Sequence, residues 1–159
     1  MEDSPNPVTG GNVIELFNNS KNFANEKSFC DYIELNIPDF TKELGYNYIS
    51  HKREYPITAY AKFGARPARI DFSIEVEPNV YIFVECKTPK QVYTELNKGI
   101  SQILSYHIKA EECKIKVKDF WLVTTMLDLD TIKIIQKFKL PINICVLDKA
   151  NLAIWRHDG

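Results

Sequence analysis

The sequence has no clear excess of charge of either sign. Its 20 Lys and Arg residues nearly balance its 21 Asp and Glu residues, and the formal net charge of the 159 residues is −1. Over the whole chain, this balance gives no sign of a nucleic-acid-binding surface, which usually carries a basic excess. Long apolar runs are also missing, since none approaches the roughly 18 residues that a membrane-spanning helix needs. We therefore expect no membrane partner.

Cysteine and histidine are too scattered for the common zinc-binding patterns. The four cysteines stand at positions 30, 86, 113 and 145, and no histidine lies beside them at ligand spacing. A zinc site is therefore not expected. The cysteines lie among apolar neighbours, which predicts buried, reduced thiols in a cytoplasmic protein. The acidic, polar start of the sequence is unlike a secretory signal and favours the same compartment.

The composition is typical of one folded domain. Hydrophobic residues make up 45% of the chain and aromatic residues 12%, which is enough to build a core. Residues 1–22 are rich in Asn, Pro, Gly and Ser, and we expect a flexible tail there. Residues 23–159 form the expected domain.

Hydrophobic periodicity predicts an α/β domain. A helical pattern starts near Asn25, and Pro38 makes that helix kink or restart. Further helices are expected over residues 90–112 and 130–138, the latter capped by Asp128 or Asp130. Strands are expected near residues 48–58, 69–76, 80–86, 118–125, 141–147 and 152–155. Hairpins give antiparallel pairs and strand–helix–strand crossovers give parallel ones, so this order predicts a central mixed sheet flanked by helices.

Three charged residues stand out on two neighbouring strands. Residues two apart in a strand share a face, so Glu85 and Lys87 should point the same way. On the preceding strand, Asp71 should lie on the face opposite Ile70 and Phe72. In an antiparallel hairpin the end of the second strand lies beside the start of the first. Asp71, Glu85 and Lys87 are thus expected to converge at one edge of the sheet.

This combination suits hydrolysis of phosphodiester bonds. Carboxylate oxygens are the ligands that Mg²⁺ prefers, and the bound ion activates water and polarises a phosphoryl oxygen. A neighbouring lysine can stabilise the charge that builds on the phosphate. Asp, Glu and Lys are also common on solvated strand faces, but Glu85 ends a buried apolar strand, where an unpaired carboxylate is unusual.

With these residues the chain resembles the PD-(D/E)xK nuclease superfamily, and within it the N-terminal nuclease domain of type I restriction enzyme restriction subunits. The resemblance covers roughly residues 26–125. It is carried by residues 44–46 and 53–57, by Asp71 within residues 69–72, by residues 84–87, and by Gln102 and Tyr106 on the following helix.

The resemblance implies a single restriction-endonuclease-like domain that cleaves DNA and depends on Mg²⁺, with Mn²⁺ as a substitute. By position, Asp71 and Glu85 would be metal ligands and Lys87 the catalytic lysine. Gln102 would arrange the site or touch the DNA backbone, with Tyr106 one helical turn further on. Relatives often add an acidic residue from the first helix, for which the candidates are Glu34 and Glu26. Many such nucleases are dimers, so a homodimer is also expected.

Two departures from the family pattern are visible. Ile70 stands where the family usually has proline, and the chain has no G-x-x-x-x-G-K-[ST] loop, so we expect no ATP-driven motor. Two alternatives to DNA cleavage stay open. One is a catalytically inactive module on the same scaffold that binds DNA or a protein partner. The other is a hydrolase that acts on RNA or on a modified nucleotide.

The net charge is unevenly distributed along the chain. Residues 1–46 sum to −5, residues 47–118 to +4 and residues 119–159 to zero. The basic excess therefore falls in the segment that holds the candidate site. Lys90 and Lys98 are the lysines of this segment that we expect to contact phosphates.

Overall fold

The computed structural model describes residues 23–57, 68–90, 92–148 and 151–159. The predicted tail of residues 1–22 lies outside these ranges. Within them, four helices and six strands follow one another in the order α-α-β-β-β-α-β-α-β-β. This confirms the predicted α/β class and is compatible with a restriction-endonuclease-like architecture.

The helices begin and end where the sequence provides caps. Helix α1 spans Glu26–Leu35, and the side-chain oxygen of Asn25 accepts a 2.8 Å hydrogen bond from the N–H of Ser28 at its start. Helix α2 spans Ile37–Glu43 with Pro38 in its first turn, where the missing N–H costs nothing. The chain thus restarts at Pro38, one of the two predicted outcomes. Helix α3 spans Val92–Glu112, and α4 spans Leu129–Phe138 with Asp128 as its N-cap.

The six strands lie in the sheet in their order along the chain. They are β1 (Ser50–Ile57), β2 (Ala68–Glu77), β3 (Val80–Lys87), β4 (Val117–Thr124), β5 (Asn143–Leu147) and β6 (Leu152–Trp155). The β1–β2, β2–β3 and β5–β6 pairs are antiparallel, whereas β3–β4 and β4–β5 are parallel and are connected through α3 and α4. The predicted mixed sheet is confirmed. Pro56 lies in the edge strand β1, where a missing backbone donor is tolerated.

Each face of the sheet carries its own hydrophobic core. Helices α1 and α2 cover one face, which we call the α1 face, with Phe29, Ile33 and Phe40. Helices α3 and α4 cover the other face, the α3 face, with Leu96 and Ile103 among the buried residues. The central strands β3, β4 and β5 are therefore largely buried from both sides, as expected for an α/β sheet, whereas the edge strand β1 is largely exposed.

The alternation of side chains breaks at one point in β1 and β2. Ile70 packs in the core of the α3 face and Phe72 in that of the α1 face, so the expectation that they share a face is wrong. On β1, Arg53 pairs with Phe72 and Tyr55 with Ile70, and Glu54 between them has a positive φ of 50°. A positive φ at a residue other than glycine departs from strand geometry, so regular pairing is interrupted where Glu54 and Asp71 would face each other.

The structure also bears on the expectations about the cysteines and about membrane-spanning helices. All four cysteines are free thiols; three are buried as predicted, but Cys113 is half-exposed. In the part of the chain that the structure describes, no helix is both long and apolar enough to cross a membrane.

Candidate active site

The candidate site lies where β2 and β3 separate. Phe72 and Val84 form the pair nearest this end of the β2–β3 ladder, and Asp71 and Glu85 come directly after them. The backbone N–H of Cys86 donates a 2.7 Å hydrogen bond to Oδ2 of Asp71. The Asp71 side chain therefore takes the place of a backbone acceptor and is held at the point of separation.

Glu85 is a buried carboxylate with two polar contacts. The side chain is only 5% exposed, and the hydroxyl of Tyr106 on α3 donates to Oε1 over 3.0 Å. The Nζ atom of Lys87 lies 3.5 Å from Oε2. As predicted, Glu85 and Lys87 share one face of β3, which is the α3 face.

Burial shifts both carboxyl groups towards the protonated form. Desolvation and, secondarily, the nearby charge of Asp71 together raise the pKa of Glu85 to about 8, against the opposing effect of Lys87. Desolvation likewise raises the pKa of Asp71 to about 6, opposed by the hydrogen bond from Cys86. Two neighbouring acids whose ionised forms are both disfavoured are typical of a site that binds a cation.

The aliphatic part of Lys87 runs beneath α3. A Cβ atom built on Gly99 would lie 3.4 Å from Cε and 3.5 Å from Cγ of Lys87. The missing side chain of Gly99 lets α3 lie directly against Lys87. The ammonium group is thereby directed towards Glu85.

Helix α3 presents a further polar residue on the same side. Gln102 precedes Tyr106 by four residues, so the two side chains lie on one helix face. Its Oε1 atom is buried and has no hydrogen-bond partner within the described ranges. A buried acceptor without a donor is costly. We therefore expect a ligand or a bound water to donate a hydrogen bond to this oxygen.

A cleft of about 650 Å³ opens beside Lys87. Its charged lining consists of the cations Lys87, Lys90 and Lys98 and the acids Glu26 and Glu95. The backbone N–H of Lys90 donates to Oε2 of Glu95 over 2.8 Å, which ties the approach to α3 to the first turn of the helix. Lys90 and Lys98 are both exposed, as a contact with phosphate requires.

The acidic residue of α1 that belongs to this cleft is Glu26, while Glu34 lies outside it. Oε2 of Glu34 lies 2.8 Å from Nε2 of His51, and its Oε1 accepts a 3.1 Å hydrogen bond from Arg53. These partners hold the pKa of Glu34 below its usual value. In contrast, the charge of Glu26 raises the pKa of both Asp71 and Glu85. The structure therefore favours Glu26 as the additional acid, because Glu34 is already engaged in a structural cluster.

One acidic neighbour was not identified from the sequence. Glu54 faces Asp71 between the two pairs that flank the break in β1, and its charge raises the pKa of Asp71. Nothing in the local sequence distinguishes Glu54 from an ordinary residue of an edge strand. Its proximity depends on strand register and on its positive φ, neither of which the pattern shows.

The residues present fit a hard divalent cation. Asp71 and Glu85 offer carboxylate oxygens, which suit Mg²⁺ or Mn²⁺ better than softer ions. A divalent cation would also favour the ionised form of both carboxyl groups. Asp71 and Glu85 are therefore the residues that would hold such an ion.

Comparisons with known proteins give different results for sequence and structure. No protein-family model matches the chain, and no curated protein matches its sequence. The structure is similar to that of the small subunit of the heterodimeric restriction endonuclease R.BspD6I. The TM-score is 0.47 and the sequence identity 16%, and the alignment covers 85% of this chain and 70% of that chain. What the structure establishes by itself is an α/β fold, with a mixed six-stranded sheet covered by helices on both faces.

Proposed function

We propose that the protein is a nuclease that hydrolyses DNA phosphodiester bonds with the help of Mg²⁺, for which Mn²⁺ can substitute. The observation that carries the proposal is the meeting of Asp71, Glu85 and Lys87 at the end of the β2–β3 ladder. Both carboxyl groups have raised pKa values there, and Lys87 lies 3.5 Å from Glu85. Here one buried and one half-buried carboxyl group share a single nearby cation, whereas buried charges are normally paired or bind a metal.

Asp71 and Glu85 would hold the metal ion. When bound, Mg²⁺ supplies a Lewis acid that polarises the phosphoryl oxygen and lowers the pKa of a water molecule. Asp71 is suited to this role because the Cys86 N–H fixes one of its oxygens. Glu85 is suited to it because the hydroxyl of Tyr106 fixes its Oε1 atom.

Lys87 would act on the phosphate rather than on the metal. Its ammonium group is confined by the contact of its aliphatic chain with Gly99, so its position is set before substrate arrives. A preorganised cation stabilises negative charge on the transition state more effectively than a mobile one. Lys90 and Lys98 at the rim of the cleft would neutralise neighbouring phosphates.

The test is a cleavage assay on plasmid DNA and on labelled duplex, single-stranded and RNA oligonucleotides, with Mg²⁺, Mn²⁺ or EDTA. Wild-type protein should cleave DNA in either metal and lose activity in EDTA, and both Glu85→Gln and Lys87→Ala should be inactive. Glu77→Gln is the matched control, because Glu77 is an exposed strand carboxylate paired with Lys118 at 2.8 Å.

The same assay separates the alternatives. Equal activity of wild type and Glu85→Gln would rule out the proposed site. DNA binding by wild-type protein without cleavage in any metal would instead favour the inactive scaffold. Cleavage of RNA alone would assign the same chemistry to the other nucleic acid.

A further inference from the structure

Two thiols that are distant in sequence meet behind the candidate active site. Cys30 on α1, Cys86 on β3 and Asp71 on β2 each provide a donor atom, and these three atoms all lie within 4.8 Å of one another. The cluster lies on the α1 face, where both cysteines belong to the buried core. Chain spacing could not reveal it, because Cys30 and Cys86 come from different elements of secondary structure.

The three donors are held in place by independent elements. Cys30 is 6% exposed and Cys86 is fully buried, and the two thiols lie within hydrogen-bonding reach of each other. Asp71 is only half-buried and connects the cluster to the edge of the sheet where β2 and β3 separate. Of the three residues, Asp71 is the most exposed to solvent.

The distances suit a tetrahedral ion with soft ligands. Zn²⁺ binds thiolate sulfur at about 2.3 Å and carboxylate oxygen at about 2.0–2.2 Å, so its ligands lie roughly 3.5–4 Å apart. From separations of up to 4.8 Å, the donors would need to close by roughly 0.8–1.3 Å at most. On binding, the two thiols release their protons to solvent, and water fills the fourth position.

We propose that Cys30, Cys86 and Asp71 form a second metal site for a thiophilic divalent ion such as Zn²⁺, whose occupation withdraws Asp71 from the catalytic site. Thiolates discriminate strongly in favour of Zn²⁺ over Mg²⁺, so the two sites select different ions. The existence of the site is independent of the proposed nuclease function. Only its inhibitory consequence rests on that function, since it requires Asp71 to be a ligand of the catalytic ion.

The site is tested by calorimetric titration of the metal-free full-length chain with Zn²⁺ in a large excess of Mg²⁺. Wild-type protein should bind one Zn²⁺ per chain, and Cys30→Ser should bind it at least about tenfold more weakly. Cys145→Ser is the matched control, because Cys145 is a buried thiol in the same core but outside the cluster. The proposal is wrong if Cys30→Ser binds Zn²⁺ as tightly as wild type.

A second measurement needs no variant and so does not depend on the folding of one. Co²⁺ bound to wild-type protein should show the absorption of thiolate-to-metal charge transfer, and Zn²⁺ should abolish it by displacement. A Co²⁺ complex without that absorption would overturn the site. The inhibitory consequence is read separately, as weaker Mn²⁺ binding in the presence of one equivalent of Zn²⁺ in wild type but not in Cys30→Ser.

The outcomes distinguish the two proposals. Zn²⁺ binding through thiolates in a protein that cleaves no nucleic acid would support the thiol site and count against the nuclease. Metal-dependent cleavage that is equally sensitive to Zn²⁺ in wild type and Cys30→Ser would support the nuclease and overturn inhibition through the thiols.

Discussion

Gly99 of α3 lies directly over the side chain of Lys87, so closely that a Cβ atom at Gly99 would come within 3.4 Å of Lys87 Cε and 3.0 Å of Leu122 Cδ1. Glycine inside a helix costs about 1 kcal/mol relative to alanine. The close packing of α3 against Lys87 and Leu122 explains why glycine stands at this position. It also makes the position of the Lys87 ammonium depend on a residue that carries no functional group.

Gly99→Ala should therefore impair catalysis. The gain in helix propensity of about 1 kcal/mol opposes an overpacking cost of about 1–3 kcal/mol, so the variant should be slightly less stable than wild type. Displacement of Lys87 should lower kcat more than it changes KM. The measurements are urea unfolding and steady-state cleavage kinetics.

Ser101→Ala is the control for Gly99→Ala, because Ser101 is exposed on the same helix and changes propensity without a new contact. Ser101→Ala should be fully active. A Gly99→Ala variant that is stabilised and cleaves normally would contradict the positioning of Lys87 by α3.

Tyr106→Phe should weaken metal binding. The hydroxyl lies 3.0 Å from Glu85 Oε1 and 3.1 Å from the carbonyl oxygen of Arg69, and its hydrogen bond lowers the pKa of Glu85. Without this donor the ionised carboxylate loses a partner worth about 1–3 kcal/mol, so affinity for Mn²⁺ should fall about tenfold or more. Calorimetry measures the change.

Tyr55→Phe provides the comparison for Tyr106→Phe, since Tyr55 is a half-buried tyrosine packed against the same core. It should bind Mn²⁺ like wild type. If both variants lose affinity to the same extent, the effect comes from general loosening of the core and not from the hydrogen bond to Glu85.

The metal-free protein should become less stable as the pH rises from about 5 to 8. The pKa of Asp71 rises from 3.8 to about 6 on folding, and that of Glu85 from 4.5 to about 8. In this range the native state retains protons that the unfolded state has lost, so deprotonation favours unfolding. The slope is limited to about 1.4 kcal/mol per pH unit for each proton. Urea unfolding in EDTA at several pH values measures it.

Glu85→Gln isolates the contribution of Glu85. His107 acts in the opposite direction, because burial lowers its pKa and the native state gains stability as the pH rises past the usual value of 6.5. This contribution is common to both proteins and cancels in the difference between wild type and Glu85→Gln. The difference in pH dependence between wild type and Glu85→Gln should become smaller when Mg²⁺ is added, because the ion stabilises the ionised native state. Parallel curves for the two proteins in EDTA would rule out a raised pKa at Glu85.

Local patterns in the sequence predicted the features that depend on neighbouring residues. The period of two in β3 placed Glu85 and Lys87 on one face, Asp128 was one of the two predicted caps, and the order of elements along the chain was also correct. The pattern failed at Ile70 and Phe72, which pack in the cores on opposite faces of the sheet where regular pairing with β1 is interrupted beside Glu54. No period within β2 carries that information.

The contacts between distant elements were also beyond the sequence. Gly99 and Lys87 meet because α3 crosses back over β3, and the distance between a helix and a sheet is set by side chains along the whole interface. The choice between Glu26 and Glu34 depends on which part of α1 lies beside the site. Glu26, at the start of the helix, lines the cleft, whereas Glu34, near its end, contacts His51 and Arg53.

A pair of substitutions on α1 tests this assignment of the additional acid. Glu26→Gln should lower Mn²⁺ affinity and cleavage, because it removes a negative charge close enough to act on both Asp71 and Glu85. Glu34→Gln makes the same chemical change eight residues along the same helix. It should leave metal binding intact but destabilise the fold by about 0.5–1.5 kcal/mol, since Glu34 contacts His51 and Arg53. Calorimetry and urea unfolding of both variants measure the two effects, and loss of Mn²⁺ affinity in Glu34→Gln alone would reassign the acid to Glu34.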